Sequence, residues 1–216
     1  MNNTLEKELA DLEKELKQDL KEQKKVLNLK ETKNTLESQQ LNDIQVVDKK
    51  HTQTASGTHF SKLGLSKSIC EALEKKGFET PSEVQEKTIP VFLKKPQHMI
   101  VQAQTGTGKT AAFGLPILEK LDADTKHTQA IILSPTRELT LQVSQELSSF
   151  SLDKKSNIVP VVGGMSMQNQ LDKLRHNAQI IVGTPGRLID HVKRKTIKLD
   201  QLNYLILDEA DEMLSR

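Results

Sequence analysis

The sequence predicts an α/β domain in which helices are layered on a mostly parallel sheet, and three observations support this fold class. Short β-rich segments recur after residue 59 as nearly continuous apolar strings, which is typical of strands buried on both faces. Segments with helical periodicity separate these strings. A glycine-rich turn joins one string to the next helical segment, as in a phosphate-binding turn.

The composition indicates one ordinary domain with an N-terminal tail. The chain has 216 residues, with 31 Lys and Arg against 29 Asp and Glu, so it does not coat polyanions by charge alone. The single cysteine, Cys70, has no partner for an internal disulfide, which favours a reducing compartment. No secretory signal and no apolar run of roughly 18–20 residues is present. We therefore expect a soluble, cytoplasmic protein that does not enter a membrane.

The first 58 residues differ from the rest in composition and in the pattern of apolar residues. Residues 1–29 carry a leucine stripe at helical spacing, formed by Leu5, Leu9, Leu12, Leu16, Leu20 and Leu27. Two interpretations stay open: a solvated, partly helical extension, or a short coiled coil that binds a partner or a second copy through residues 5–27. Residues 30–58 are polar and predict a disordered linker. Residues 59–216 form the predicted domain.

Five strands are predicted in this domain, at residues 98–103, 130–133, 158–162, 179–182 and 204–207. Helical patterns separate them, and one example is the apolar stripe of Leu139, Val143, Leu147 and Phe150. Strands that alternate with helices indicate crossover connections and a layered sheet.

The phosphate-binding turn follows the first predicted strand and consists of Ala103, Gln104, Thr105, Gly106, Thr107, Gly108, Lys109 and Thr110. Two glycines allow the backbone N–H groups to converge on one anion, and the following helix adds the positive end of its dipole. Lys109 places a charge near the β- and γ-phosphates, and Thr110 offers a hydroxyl to Mg²⁺. Ala103 stands where the P-loop pattern has its first glycine.

The second motif is acidic. It follows the strand at residues 204–207 and reads Asp208-Glu209-Ala210-Asp211. Alone, such a cluster is typical of a solvated turn. Next to a P-loop, Asp208 is a candidate Mg²⁺ ligand, mostly through water, and Glu209 a candidate for orienting or deprotonating the attacking water. We therefore predict Lys109, Asp208 and Glu209 as the catalytic set, with Thr110 and Asp208 as the metal ligands.

With these two motifs the chain resembles the DEAD-box RNA helicases over roughly residues 60–216. The resemblance implies a RecA-like domain that binds ATP and Mg²⁺ and serves an ATP-hydrolysing RNA helicase. Gly77-Phe78, Pro81-Ser82 and Gln85 look like the family's adenine-recognising Q motif. Phe60 stands 17 residues before Gly77, where the family carries an aromatic that stacks on adenine. The family's own P-loop variant often begins with Ala, which accounts for Ala103.

Three further motifs look like the family's RNA-contacting segments. They are Pro135, Thr136 and Arg137; Gly163 and Gly164; and Thr184, Pro185, Gly186 and Arg187. Hydroxyl, guanidinium and helix N-terminal N–H groups suit phosphates. The chain has five Phe, one Tyr and no Trp, and this scarcity fits recognition of the RNA backbone without sequence selectivity.

Beyond Arg216 the resemblance implies a strand with a Ser-Ala-Thr motif and then a second RecA-like domain. That domain supplies arginines to the γ-phosphate, worth about 10³- to 10⁵-fold in rate in NTPases, and half of the RNA groove. We therefore expect the 216-residue chain not to unwind RNA by itself. The Ser-Ala-Thr strand would lie between strands 98–103 and 204–207, so we also expect the isolated chain to be unstable.

Two other functional classes remain open. A GTPase or small-molecule kinase uses the same P-loop, although the Asn-Lys-x-Asp guanine signature is absent from the sequence. A non-catalytic binding or oligomerisation module would act through the leucine-striped helix. The six histidines show no metal-binding spacing, and we interpret them as surface or packing residues.

Overall fold

A computed structural model of the chain describes residues 59–94, 97–151 and 156–215, all of which belong to one compact unit. The predicted helix at residues 1–29, the linker at residues 30–58 and the proposed self-association through residues 5–27 lie outside the described residues. In the described ranges, no helix has the length and apolar character needed to cross a membrane.

The described chain alternates helices with strands. After a 3₁₀ helix at Phe60–Leu63, the elements in order are α1 (Lys67–Lys75), α2 (Glu83–Lys94), α3 (Lys109–Lys120), β1 (Ala130–Leu133), α4 (Arg137–Phe150), β2 (Ile158–Val161), α5 (Met167–Arg175), β3 (Ile180–Gly183), α6 (Pro185–Lys193), β4 (Tyr204–Leu207) and α7 (Ala210–Leu214). The predicted helical stripe after residue 137 is confirmed as α4, which begins where Thr136 accepts a hydrogen bond from the N–H of Leu139.

Four parallel strands form the sheet in the order β2-β3-β1-β4. β1 lies in its interior, with Ala130 paired to Ile180 of β3 on one side and to Tyr204 of β4 on the other. The predicted α/β fold class is confirmed. The predicted boundaries of β1 and β4 match the structure, and β2 and β3 differ from theirs by one residue at one or both ends.

Apolar side chains on both faces of the sheet form two separate cores, because successive strand residues point to opposite sides. Ile132 and Ile180 face the larger core, which contains residues of α1, α2, α3 and α4. Ile131 and Ile181 face a smaller core that includes Leu188 of α6. Burial on both faces explains why β1 and β3 read as continuous apolar strings.

β4 departs from the prediction that every strand is buried on both faces. Tyr204 and Ile206 pack against the larger core, whereas Leu205 and Leu207 are 58% and 54% exposed. The strand pairs with β1 on one side and with no other described strand. The prediction is wrong here because, in the described part of the chain, no apolar cluster packs over the face of β4 that carries Leu205 and Leu207.

The prediction of a strand at residues 98–103 is also wrong. The described backbone from residue 97 to 104 forms no strand, and Ile100 is 72% exposed. Val101 and Ala103 still pack against Val84 and Ala112. An apolar string becomes a strand only where a neighbouring ladder satisfies its N–H and C=O groups, and no described strand pairs with this segment.

Candidate functional site

The predicted motifs lie at one edge of the sheet. Because β1 to β4 are parallel, the turns that follow them all emerge at their carboxyl ends, where ligands bind in open α/β sheets. These turns carry Pro135-Thr136-Arg137 after β1, Gly163-Gly164 after β2, Thr184 after β3 and Asp208-Glu209 after β4.

The P-loop forms a tight turn that leads directly into α3. Gly106 and Gly108 have φ angles of +80° and +86°, which L residues rarely adopt. Thr107 steadies the turn by donating its hydroxyl to the carbonyl oxygen of Gln104 at 2.7 Å. The N–H of Ala112 donates to the carbonyl oxygen of Gly108 at 3.0 Å as the first bond of the helical ladder. The first N–H groups of a helix, here those of Lys109 to Ala111, have no acceptor within the helix and can bind an anion.

Gln85 ties the Q-motif segment to the P-loop. Its Oε1 accepts from the N–H of Ser82 at 2.9 Å, and its Nε2 donates to the carbonyl oxygen of Gly108 at 3.2 Å. The side chain is only 3% exposed. A carboxamide has one further donor hydrogen and one further acceptor lone pair, so these two bonds leave capacity for a nucleobase edge.

The residues around this turn fit a phosphate-bearing ligand. A Cβ on Gly108 would collide with the Gln85 carboxamide, so the close approach requires glycine. The hydroxyl of Ser82 is buried beside the same glycine and has no hydrogen-bond partner among the described residues. A buried hydroxyl without a partner is costly unless a ligand or water satisfies it.

Asp208 and Lys109 form the charged part of the site. Burial raises the pKa of the Asp208 carboxyl above its ordinary value, while the Lys109 ammonium and the Glu209 backbone N–H oppose this shift. Asp208 is held in place through its own N–H, which donates to the carbonyl oxygen of Leu133 at 2.9 Å. A desolvated carboxylate beside an ammonium gains from a bound cation, so Asp208 suits Mg²⁺.

Glu209 occupies an unusual backbone conformation. Its φ and ψ are both 50°, in the left-handed region, and it caps the short helix α7. Burial raises the pKa of its carboxyl, and a hydrogen bond with Glu212 and the charge of Asp208 act in the same direction. Backbone strain of this kind is concentrated at functional sites.

Glu146 is a site residue that the sequence analysis missed. It lies on α4, and its carboxylate accepts a hydrogen bond from the Thr110 side chain. Burial raises the pKa of Glu146, and its charge contributes to the raised pKa of Asp208. The sequence did indicate this residue, because Glu146 lies on the same helical face as Val143, Leu147 and Phe150. A carboxylate within such an apolar stripe faces another element of the fold.

Phe60 lies in the larger core and is almost completely buried. Together with Phe78 it lines a small cavity of about 140 Å³, whose other lining residues include His59, Cys70 and Glu74. The ring therefore presents little surface in this arrangement. Its predicted stacking on adenine stays a prediction.

The segment after β1 and the segment after β2 lie side by side. Thr136 caps α4 and leaves Arg137 exposed at the first turn of that helix. Gly164 has φ +74°, and a Cβ placed on it would stand 3.0 Å from Nη1 of Arg137. The guanidinium therefore lies beside the exposed Gly164, where backbone and positive charge are presented together.

The segment after β3 begins α6 with Pro185 at its first position, a position that suits proline because the first N–H is unbonded there. Thr184 donates its N–H to the carbonyl oxygen of Val161 at 3.1 Å. Arg187 approaches the sulfur of Met167, with Nη1 at 3.6 Å. The segment after β3 thus lies next to the chain around the carboxyl end of β2.

Comparisons with known proteins agree with these features. The family model described as DEAD/DEAH box helicase matches residues 82–216. The chain is 51% identical over 158 residues to the ATP-dependent RNA helicase CshA of Listeria monocytogenes, covering 73% of this chain and 30% of that protein. It is 47% identical over 156 residues to the DEAD-box ATP-dependent RNA helicase CshA of Bacillus subtilis, covering 72% and 31%. The chain thus spans about a third of the length of these curated relatives.

Solved structures of DEAD-box proteins are also similar to this chain. A DEAD box protein from Methanococcus jannaschii matches with a TM-score of 0.70 and 44% identity, over 73% of this chain and 43% of that one. Dbp5 of Saccharomyces cerevisiae bound to RNA and ADP BeF3 matches with a TM-score of 0.67 and 37% identity, over 73% and 39%. The predicted RecA-like architecture is confirmed by these neighbours.

Proposed function

The chain belongs to the DEAD/DEAH box helicase family, and on that premise we propose that it forms the nucleotide-binding half of an ATP-dependent RNA helicase. In this proposal it binds ATP with Mg²⁺ at the P-loop and the RNA backbone at the neighbouring turns. Hydrolysis and duplex unwinding require a second RecA-like domain, which closes over both ligands.

The nucleotide chemistry is assigned to the residues around α3. The P-loop N–H groups and Lys109 bind the phosphates. Thr110 and Asp208 would hold Mg²⁺, which neutralises charge on the β- and γ-phosphates when bound. Glu209 orients the attacking water or accepts its proton. Gln85 reads the adenine edge with its remaining donor and acceptor, and an aromatic face from Phe60 would require its ring to leave the core in which it is buried.

The observation that carries this proposal is the link between Gln85 and Gly108. It joins the proposed base-reading segment to the phosphate-binding turn by a hydrogen bond of 3.2 Å, which supports a nucleotide whose phosphates bind the turn and whose base meets Gln85. Lys109→Ala should therefore weaken ATP·Mg²⁺ binding strongly. We would titrate a fluorescent ATP analogue into the longest natural form that contains these residues, and equal affinity in variant and wild type would contradict the assignment.

Competition by unlabelled nucleotides separates the proposal from the GTPase alternative. ATP should displace the analogue, and GTP should not, because the Gln85 carboxamide presents both a donor and an acceptor to adenine's N6 and N7 edge. Equal displacement by GTP would favour the GTPase class.

Glu209→Gln separates binding from chemistry, because it keeps the shape of the side chain and removes the carboxylate. We expect ATP binding to persist and RNA-stimulated turnover to fall by at least about 10²-fold in the complete enzyme. Unchanged turnover would show that Glu209 has a different role.

RNA binding is assigned to Arg137, Arg187 and the backbone beside them. Replacing either arginine with alanine should weaken binding about equally for unrelated RNA sequences and reduce the salt dependence, because a phosphate contact is lost. A loss confined to particular sequences would contradict backbone recognition.

A further inference from the structure

Gln170 and His191 form a buried hydrogen-bonded chain that lies outside the motifs described above. Gln170 is buried on α5, and His191 is fully buried on α6. The Gln170 carboxamide nitrogen donates to the carbonyl oxygen of Val162 at 2.8 Å. Its Oε1 lies 3.2 Å from Nε2 of His191, and on the other side of the ring Nδ1 lies 2.9 Å from the Thr196 hydroxyl.

The donor and acceptor roles of the groups around the ring determine the tautomer of His191. Oε1 of Gln170 only accepts, so Nε2 of His191 carries the proton. Burial lowers the pKa of the imidazole, and the charge of Arg187 also lowers it, so the ring is neutral and Nδ1 is an acceptor. The Thr196 hydroxyl lies 2.9 Å from Nδ1 and 2.8 Å from the His191 carbonyl oxygen, so its single hydrogen can be donated to either acceptor. Both ring nitrogens are thereby within hydrogen-bond distance of a polar partner.

One end of this hydrogen-bonded series adjoins a segment that the proposed function assigns to RNA, and His191 lies on the helix that carries another such segment. Val162 immediately precedes Gly163-Gly164, which has no side chains to hold its conformation. His191 lies on α6, the helix that begins just after Thr184. The bond to the Val162 carbonyl therefore anchors a turn that would otherwise be free to adopt several backbone conformations.

We propose that Gln170 and His191 are positioning residues for RNA binding, which hold the Gly163-Gly164 turn at a fixed distance from the start of α6. The inference rests on the proposed RNA-binding function of these segments. Neither side chain touches RNA. Their effect comes through the spacing of two backbone segments that must meet successive phosphates together, so a small displacement of one segment weakens both contacts.

The test uses three histidine variants in the longest natural form of the protein. His191→Leu removes both hydrogen bonds at similar volume. His191→Gln keeps a donor at the position of Nε2. His176→Leu is the matched control, because His176 is an exposed histidine at the end of α5 whose Nδ1 contacts the Asp172 carbonyl oxygen at 2.6 Å and which takes no part in the chain.

We expect His191→Leu to weaken the binding of a single-stranded RNA roughly three- to tenfold, which corresponds to the loss of one or two neutral hydrogen bonds. ATP-analogue affinity should be unchanged, because the nucleotide site lies on other elements. His191→Gln should restore most of the RNA affinity, and His176→Leu should bind like wild type. In ¹⁵N-histidine-labelled protein, the shifts of His191 should report a neutral ring protonated at Nε2.

Wild-type RNA affinity in His191→Leu, or no rescue by His191→Gln, would overturn the proposal. Gln170→Met removes the same link from the other side and decides the question if His191→Leu does not fold. The double variant should lose no more RNA affinity than either single variant, since both break one chain. Failure of the proposed function is distinguishable: wild-type protein would then not bind RNA, or Arg137→Ala and Arg187→Ala would bind RNA like wild type.

Discussion

Gly108→Ala places one methyl group at the point where the P-loop meets Gln85. Two effects separate this change from an ordinary glycine substitution. The residue has φ +86°, and the new Cβ would collide with the Gln85 carboxamide nitrogen. Gly106→Ala is a matched control, because its φ is +80° and nothing lies within 4 Å of a Cβ placed there.

The expected magnitudes follow from these contacts. Alanine in the left-handed region costs about 1–2 kcal/mol of folding free energy, which is the whole effect for Gly106→Ala. In Gly108→Ala the Gln85 side chain must also move, and it then loses its bonds to Ser82 and Gly108. Each neutral hydrogen bond contributes about 0.5–1.5 kcal/mol, so Gly108→Ala should destabilise the domain by about 2–5 kcal/mol.

Urea denaturation followed by circular dichroism would measure these differences. Adding Gln85→Ala should reduce the effect of Gly108→Ala to that of Gly106→Ala, because the obstacle is gone. If Gly108→Ala is no worse than Gly106→Ala, or if Gln85→Ala does not reduce its effect, then the Gln85–Gly108 contact does not determine the shape of the P-loop.

Three further predictions concern other parts of the domain. Gly164→Ala, at φ +74° and against a neighbouring guanidinium, should lower RNA affinity by about fivefold or more and leave ATP-analogue affinity unchanged, both measured by fluorescence titration. Glu146→Gln keeps an acceptor for Thr110 but removes a negative charge, so the Mg²⁺ concentration needed for ATP-analogue binding should rise by about tenfold. If the Mg²⁺ titration is unchanged, Glu146 does not contribute to metal binding. Leu205→Lys should reduce aggregation of the 216-residue chain in light scattering, because that side chain is exposed on an edge strand, whereas Ile206→Lys should destabilise the core.

The local sequence was sufficient to predict the structure of segments whose conformation depends only on their own residues. β1 was predicted with correct boundaries because Ala130 to Leu133 form an apolar string between polar neighbours and are buried on both faces. The turn at Gly106 and Gly108 was also predicted, since positive φ angles there require glycine. Segments of this kind fold the same way in many contexts, so their pattern determines their structure.

Interactions between distant segments were not predictable in the same way. Residues 98–103 have a strand-like pattern, but a strand requires a ladder partner, which the local pattern does not specify. The role of Gln85 in bonding Gly108, 23 positions away, depends on how α2 packs on α3. His191 was expected to be a surface or packing residue, and its hydrogen bonds to Gln170 and Thr196 depend on the placement of three separate segments.

Residues 97–103 form no strand with the described sheet, and this has a consequence for how ligand binding and folding are linked. The P-loop is anchored through α2 and α3, whereas Asp208 is anchored through β4, and no described ladder joins the two. A nucleotide that bridges Lys109 and Asp208 would therefore act as a cross-link within the domain. Its binding free energy should appear as added resistance to unfolding, amounting to about 2.7 kcal/mol at a ligand concentration one hundred times the Kd. Thermal stability should accordingly rise with ATP·Mg²⁺ concentration. This increase should disappear in a variant whose nucleotide cannot contact both Lys109 and Asp208.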